Sequence, residues 1–176
     1  MANPTMTLIS SQTLGGTTAS VTFSSIPSTY NDLKLVVSAR GDMASTAGIG
    51  IAVKFNGDSA TNYSWTPLYG NSSVAGSTRA SSQTSDLTML MDGPTSTTST
   101  FGSLEMYIPN YNSTGSKPWF DIDVQENNSI TANAAYIETI AHLYRGSSGI
   151  SSITLTPQSG NFVANSNFYL YGIKNS

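Results

Sequence analysis

Apolar and polar residues alternate with a period of two along roughly ten to eleven short runs, which is the pattern of half-buried β-strands. Asp32–Arg40 sets Leu33, Leu35, Val37 and Ala39 against Lys34, Ser38 and Arg40, and Ile49, Ile51, Val53 and Phe55 alternate in the next run. Phe101–Ile108 sets Leu104, Met106 and Ile108 inward against Ser103, Glu105 and Tyr107. Trp119–Gln125 sets Phe120, Ile122 and Val124 inward against Asp121, Asp123 and Gln125. Ala135–Tyr144 sets Ile137, Ala141 and Leu143 inward against Glu138, His142 and Tyr144. Shorter runs lie at Thr7–Ser11, Ala19–Ser24, Asn62–Tyr69, Leu87–Met91, Ile153–Thr156 and Phe168–Ile173.

Turn residues separate these runs: Asn56-Gly57-Asp58, Asn110-Tyr111-Asn112, Gly115-Ser116-Lys117-Pro118, Gly146-Ser147-Ser148-Gly149 and Ser159-Gly160-Asn161. Gly and Asn reach positive φ and Pro fixes its own, so each reads as a turn. Gly70–Ser85 is Ser/Gly-rich and reads as a surface loop. Asn133–Arg145 is the nearest approach to a helical stripe, but Tyr136, Ile140 and Tyr144 favour a strand. The pattern predicts an all-β fold: a single antiparallel two-sheet β-sandwich over residues 1–176, jelly-roll-like, with about ten strands. Residues 1–5 read as an extended arm.

Charge is sparse, with 7 Lys+Arg and 10 Asp+Glu among 176 residues, against about 25% in average domains. The 29 Ser and 22 Thr take their place. A net charge of −3 gives no basic field for nucleic acid or anionic lipid, so neither nucleic acid nor membrane is expected as a partner. No run approaches the ~18 apolar residues of a membrane span. The N-terminus has no basic region followed by an apolar block, so no signal peptide is expected. Few ions to desolvate suits close packing against another protein.

Signals for chemistry are thin. The chain has no Cys and one histidine, His142, which the alternation places on a solvent face. Zinc ligation and a Ser-His-Asp triad are therefore not expected, and no cofactor is expected. Asp121 and Asp123 share a strand face with Glu126 just beyond, which would suit calcium or, equally, a solvated face. Glu105 with Asp121, Asp123 or Glu138 would supply a glycosidase pair if sheet order brought them face to face. Arg40-Gly41-Asp42 spells an adhesion tripeptide but follows a strand as a turn would. The sequons at Asn62, Asn71, Asn112 and Asn127 read as products of a Ser/Thr-rich composition. The aromatic residues Trp65, Tyr69, Tyr107, Trp119 and Tyr144 are candidate protein-contact residues, with the core as the alternative home for each.

Several phrases span nearly the whole chain: Thr7-Leu8-Ile9-Ser10-Ser11-Gln12-Thr13-Leu14, Ala19-Ser20-Val21-Thr22-Phe23-Ser24-Ser25-Ile26-Pro27, Tyr30-Asn31-Asp32-Leu33-Lys34-Leu35, Phe55-Asn56-Gly57-Asp58, Ile108-Pro109-Asn110-Tyr111 and Asn167-Phe168-Tyr169-Leu170-Tyr171-Gly172-Ile173-Lys174. In these the chain resembles Ser/Thr-rich, jelly-roll-like virion proteins of tailed phages, including cyanophages. The resemblance implies a capsid cement (decoration) protein on the head surface. Its partners would be the major capsid protein and further copies of itself, as a homotrimer. A tail or fibre module binding a receptor or glycan is the alternative. The strand run that starts at Thr7, with no coiled coil before it, is what a decoration subunit would show. The resemblance transfers no catalytic residue.

Overall fold

The structure is a computed structural model, and it describes residues 5–71, 74–125 and 136–174. Met1–Pro4 of the expected arm, Glu126, the Asn127 sequon, the downstream residues of the Asn71 sequon and the start of the 133–145 stretch lie outside them.

Thirteen strands form two antiparallel sheets: β1 (Met6–Thr13), β2 (Val21–Phe23), β3 (Asp32–Ala39), β4 (Gly48–Phe55), β5 (Tyr63–Gly70), β6 (Ala75–Ser77), β7 (Ala80–Gln83), β8 (Asp86–Asp92), β9 (Gly102–Ile108), β10 (Lys117–Val124), β11 (Ile137–Tyr144), β12 (Ile153–Pro157) and β13 (Asn167–Ile173). The large sheet runs β1-β13-β3-β9-β10-β11-β5-β6, with β7 also pairing β5; the small sheet runs β2-β12-β4-β8. This is the β-sandwich that the alternation predicts. Eleven of the strands coincide with the periodic runs. The other two, β6 and β7, occupy the stretch expected to be a loop.

The core lies between the sheets. Leu33, Leu35 and Val37 of β3, Leu104 and Met106 of β9, and Phe168 and Leu170 of β13 meet Ile51, Val53 and Phe55 of β4 and Ile153 and Leu155 of β12. Successive side chains point to opposite faces, so each of these strands buries every second residue. At the end of β4, Asn56 (φ 55°) and Gly57 (φ 67°) are both left-handed, and the Asp58 amide donates to Phe55 O at 2.9 Å. Two consecutive positive φ values are the demand of a type I′ turn, which Asn-Gly meets with little strain. Here the turn carries the chain from the small sheet toward β5 of the large one.

β8 is an edge strand of the small sheet, and it packs across β9, β10, β11 and β5. The inner faces of β10 and β11 therefore meet an edge strand with polar backbone groups to satisfy, rather than the middle of a sheet. The amide Nε2 of Gln125, just past β10, donates to Met91 O of β8 at 3.2 Å. This edge explains the fold's largest departure from the expected pattern, because β10 and β11 carry polar residues inward.

Candidate functional site

On β10, Asp121 and Asp123 are buried, whereas Phe120, Ile122 and Val124 are 44%, 46% and 38% exposed. On β11, Ile140, His142 and Tyr144 are buried, and Ile137 is 57% exposed. Both strands are inverted relative to the sequence expectation. Alternation fixes which residues share a face; it does not fix which face is covered. The β10–β11–β5 ladder aligns Ile122 with Thr139 and Leu68, and Val124 with Ile137 and Gly70. Leu68 is 60% exposed. The Tyr107 ring of β9 lies 5.7 Å from that of Phe120, and the Tyr107 hydroxyl donates to Asp32 Oδ2 at 2.6 Å. Among the described residues that face outward on β9, β10, β11 and β5, Glu105 is the one charged side chain, and Lys34 of β3 neutralises it at 2.7 Å. Over β10, β11 and β5 the outer side of the large sheet thus carries an apolar patch, a feature found at interaction sites.

Beneath that surface lies a sealed ionic cluster. His142 Nδ1 is 2.7 Å from Asp86 Oδ2 and Nε2 is 3.1 Å from Asp121 Oδ2, with all three side chains fully buried. Trp119 stacks on the imidazole at 3.6 Å and 5°. Burial opposes the imidazolium, but hydrogen bonds and charge from Asp121 and Asp86 outweigh it and raise His142 to about 9. Burial pushes the Asp121 carboxyl up, against the pull of His142.

Two residues along β10, Asp123 stands directly opposite Glu138 in the ladder. Neither Asp123 oxygen makes a well-formed hydrogen bond. Burial, then Glu138, then Asp121 raise it to about 9, with the Leu90 amide opposing, so Asp123 is a neutral acid at pH 7. Burial and then Asp121 raise Glu138 to about 7. Two carboxylates set opposite one another cannot both ionise cheaply, and the held proton removes the repulsion.

This geometry corrects several expectations. His142 lies in the interior rather than on a solvent face. Both of its ring nitrogens are engaged with carboxylates, so neither is left to take a proton from a nucleophile. Glu105 faces outward while Asp121 and Asp123 face inward, so Glu105 forms no glycosidase pair with them. Among the described residues, no group of three or more His, Asp or Glu could hold a metal ion. Of the candidate contact residues, Trp119 and Tyr144 are 3% exposed and belong to the core. Tyr144 stacks on Tyr63 at 5.0 Å. Trp65 and Tyr69 are half-buried and share the inward register of His142 and Glu138. Only Tyr107 stands on the apolar outer face.

The adhesion-like tripeptide is used internally. The Arg40 guanidinium donates to the carbonyls of Thr97, Thr100 and Ser96, and Asp42 accepts from the Asn161 amide and side chain.

Sequence reasoning missed Leu68, Phe120, Ile122, Val124 and Ile137 as surface residues. The available signal was Asp121 and Asp123 lying on the same face as Trp119, which is a strong core former.

Two shallow depressions open on the outer side of the large sheet. One, about 320 Å³, lies between Leu68, Ile122, Ile137 and Thr139. The other, about 330 Å³, is lined by Ser64, Trp65, Thr66, Arg79, Ser81 and Leu143.

Fold and surface together define an antiparallel β-sandwich with an apolar patch on one sheet face that is exposed among the described residues. No protein-family model and no curated protein matches the chain.

Proposed function

We propose that this chain is a structural protein of a tailed-phage particle, a cement subunit that binds the outside of the head and stabilises the capsid lattice. The observation that carries this reading is the outer face of the large sheet. There Leu68, Phe120, Ile122, Val124 and Ile137 are exposed on three adjacent strands, while charged residues of two of those strands are buried. Burying acids and exposing aliphatics costs stability in an isolated domain, and that cost is offset when a partner covers the face. The strand-and-turn phrases that resemble phage virion proteins supply the setting.

In this role the major capsid protein is the lattice partner, and self-association multiplies weak contacts through effective concentration. The His142 cluster ties the two sheets together, giving a rigid unit able to bear load. The test is thermal release of DNA from purified heads with and without saturating protein. The reading expects a higher release temperature with protein, and an unchanged one would refute the stabilising role.

The depression lined by Ser64, Thr66, Arg79 and Ser81, with its hydroxyls and one cation, favours a second reading, a tail module that binds a glycan. Glycan binding by the isolated chain, lost in Arg79→Ala, would support it.

A further inference from the structure

Asp121 and Asp123 of β10 and Glu138 and His142 of β11 point inward beneath β8, which adds Asp86 to them. Among the described residues His142 is the one cation that answers these acids, and it is already shared between Asp86 and Asp121 at 2.7 and 3.1 Å. Alongside, β9 brings Leu104 and Met106, and β5 brings Tyr63 and Tyr69. Asp92, at the far end of β8, is buried and acidic as well. Lys117, at the start of β10, spends its ammonium on the carbonyls of Gly115 and Gly146 at 2.8 and 3.0 Å. Asp123 therefore stands opposite Glu138 with no cation of its own, and neither of its oxygens has a well-formed hydrogen bond. A buried carboxylate so placed is too costly to keep. It either holds its proton or gains water, and β8 is the strand packed over it.

We propose that β8 is a pH-operated flap. While the Asp123–Glu138 pair holds a proton, β8 stays seated on the inner face of β10 and β11. When the pair ionises, β8 lifts there and water enters, with the rest of the sandwich still folded. The device is a property of the fold and does not depend on the particle role.

The build of β8 suits this motion. It is an edge strand that ladders to β4, and the ladder slips by one residue between Ile51–Met89 and Ala52–Leu87. Such a bulge interrupts pairing and weakens the hold of the neighbouring strand. Two of its ties to the large sheet are Asp86 to His142 at one end and the Gln125 amide to Met91 O at the other. The first tie needs the imidazolium, so it too fails when His142 loses its proton. The main core, between β3, β9 and β13 on one side and β4 and β12 on the other, is held by aliphatic and aromatic contacts that do not titrate.

The direction follows from proton counting. With β8 seated, burial first and the neighbouring acids next hold the proton of Glu138 to about 7 and that of Asp123 to about 9. Asp121 and Asp86 outweigh burial and hold that of His142 to about 9. In water, carboxyls ionise near 4 and imidazole near 6.5. The lifted state binds fewer protons, so rising pH favours it. The flap is shut below about pH 7 and loosens toward about pH 9.

Thiol labelling of the full chain tests the proposal. The chain has no cysteine, so single introduced thiols report opening. Ile140→Cys lies on the inner face of β11, between Glu138 and His142, and Leu170→Cys lies in β13; the native side chains are 1% and 0% exposed. The ratio of their labelling rates cancels the thiol's own titration. That ratio should rise at least about tenfold per pH unit between about pH 7 and about pH 9, because lifting releases one proton or more. Asp123→Asn combined with Glu138→Gln should hold it level. A second readout needs no thiol in the core: in a Trp65→Phe chain, acrylamide quenching of Trp119, which is 3% exposed and stacked on His142, should rise over the same interval. Equal rises at both thiols would mean that the sandwich opens as a whole. A flat ratio, level quenching of Trp119, or a rise that the double variant retains would remove the acid pair as the trigger. Any one of these results overturns the flap.

Discussion

The imidazole Nδ1 of His142 lies 2.7 Å from Oδ2 of Asp86, so an ionic hydrogen bond joins β11 of the large sheet to β8 of the small one. With Asp121 on the other nitrogen, one buried cation serves two buried carboxylates on two different strands. Such a unit is costly to desolvate and costly to break in part. His142→Ala would leave both aspartates buried without their cation. Urea unfolding should show a loss of about 3–5 kcal/mol. Replacing the whole unit together, Asp86→Leu with Asp121→Leu and His142→Phe, should restore most of that loss. If His142→Ala were neutral, the cluster would not be the tie between the sheets.

The acid groups set an unusual dependence of stability on pH. Asp123 and Glu138 are raised to about 9 and about 7 in the folded chain, above the range of unfolded carboxyls near 4. The folded state therefore holds their protons longer, and their contribution is complete below about pH 4. It is lost as pH rises through about 7 and then about 9. His142 is also raised, to about 9, so its contribution is complete below about pH 6.5 and is lost on the way to about 9. All three act in one direction. Thermal melts should show the midpoint falling steadily from about pH 5 to about pH 9. Asp123→Asn should flatten that slope and be more stable than wild type at the alkaline end. A midpoint that rises over this interval would contradict the assignments.

The inversion of β10 can be tested by truncation. Leu104 of β9 is 3% exposed and Ile122 is 46% exposed. Leu104→Ala should cost about 2–5 kcal/mol as a core cavity. Ile122→Ala should cost less than about 1 kcal/mol, as surface changes do. Equal losses in denaturant unfolding would mean that the outward face is misassigned.

Arg40 offers a fourth check. Its guanidinium donates to three backbone carbonyls in the 96–100 segment, so Arg40→Lys, which cannot make that fork, should destabilise by about 1–3 kcal/mol. Limited proteolysis should then cut first within residues 96–100. An unchanged digestion pattern would show that the clamp does not hold that segment.

The strand runs and the sandwich were legible in the sequence because a period of two is a local property. β6 and β7 were not, since Ala75–Ser77 and Ala80–Gln83 carry no large apolar residue to alternate. They form by pairing with β5, a contact that no local pattern encodes. The candidate site was legible only in part. Asp121, Asp123, Glu138 and His142 stood out as chemistry-bearing residues, yet periodicity assigned them to solvent. Asp86, 56 residues from His142 in sequence, reverses that assignment. Trp119 and Tyr144 went the same way: as aromatics they suit an interface or a core equally, and the packing of β8 over the inner face decided for the core.

Immunogold electron microscopy of intact virions, with antibody against this chain, decides whether it rides on the head as a cement subunit. Label spread over the head is the expected result. Label confined to the tail, or absent from the particle, would refute the cement role.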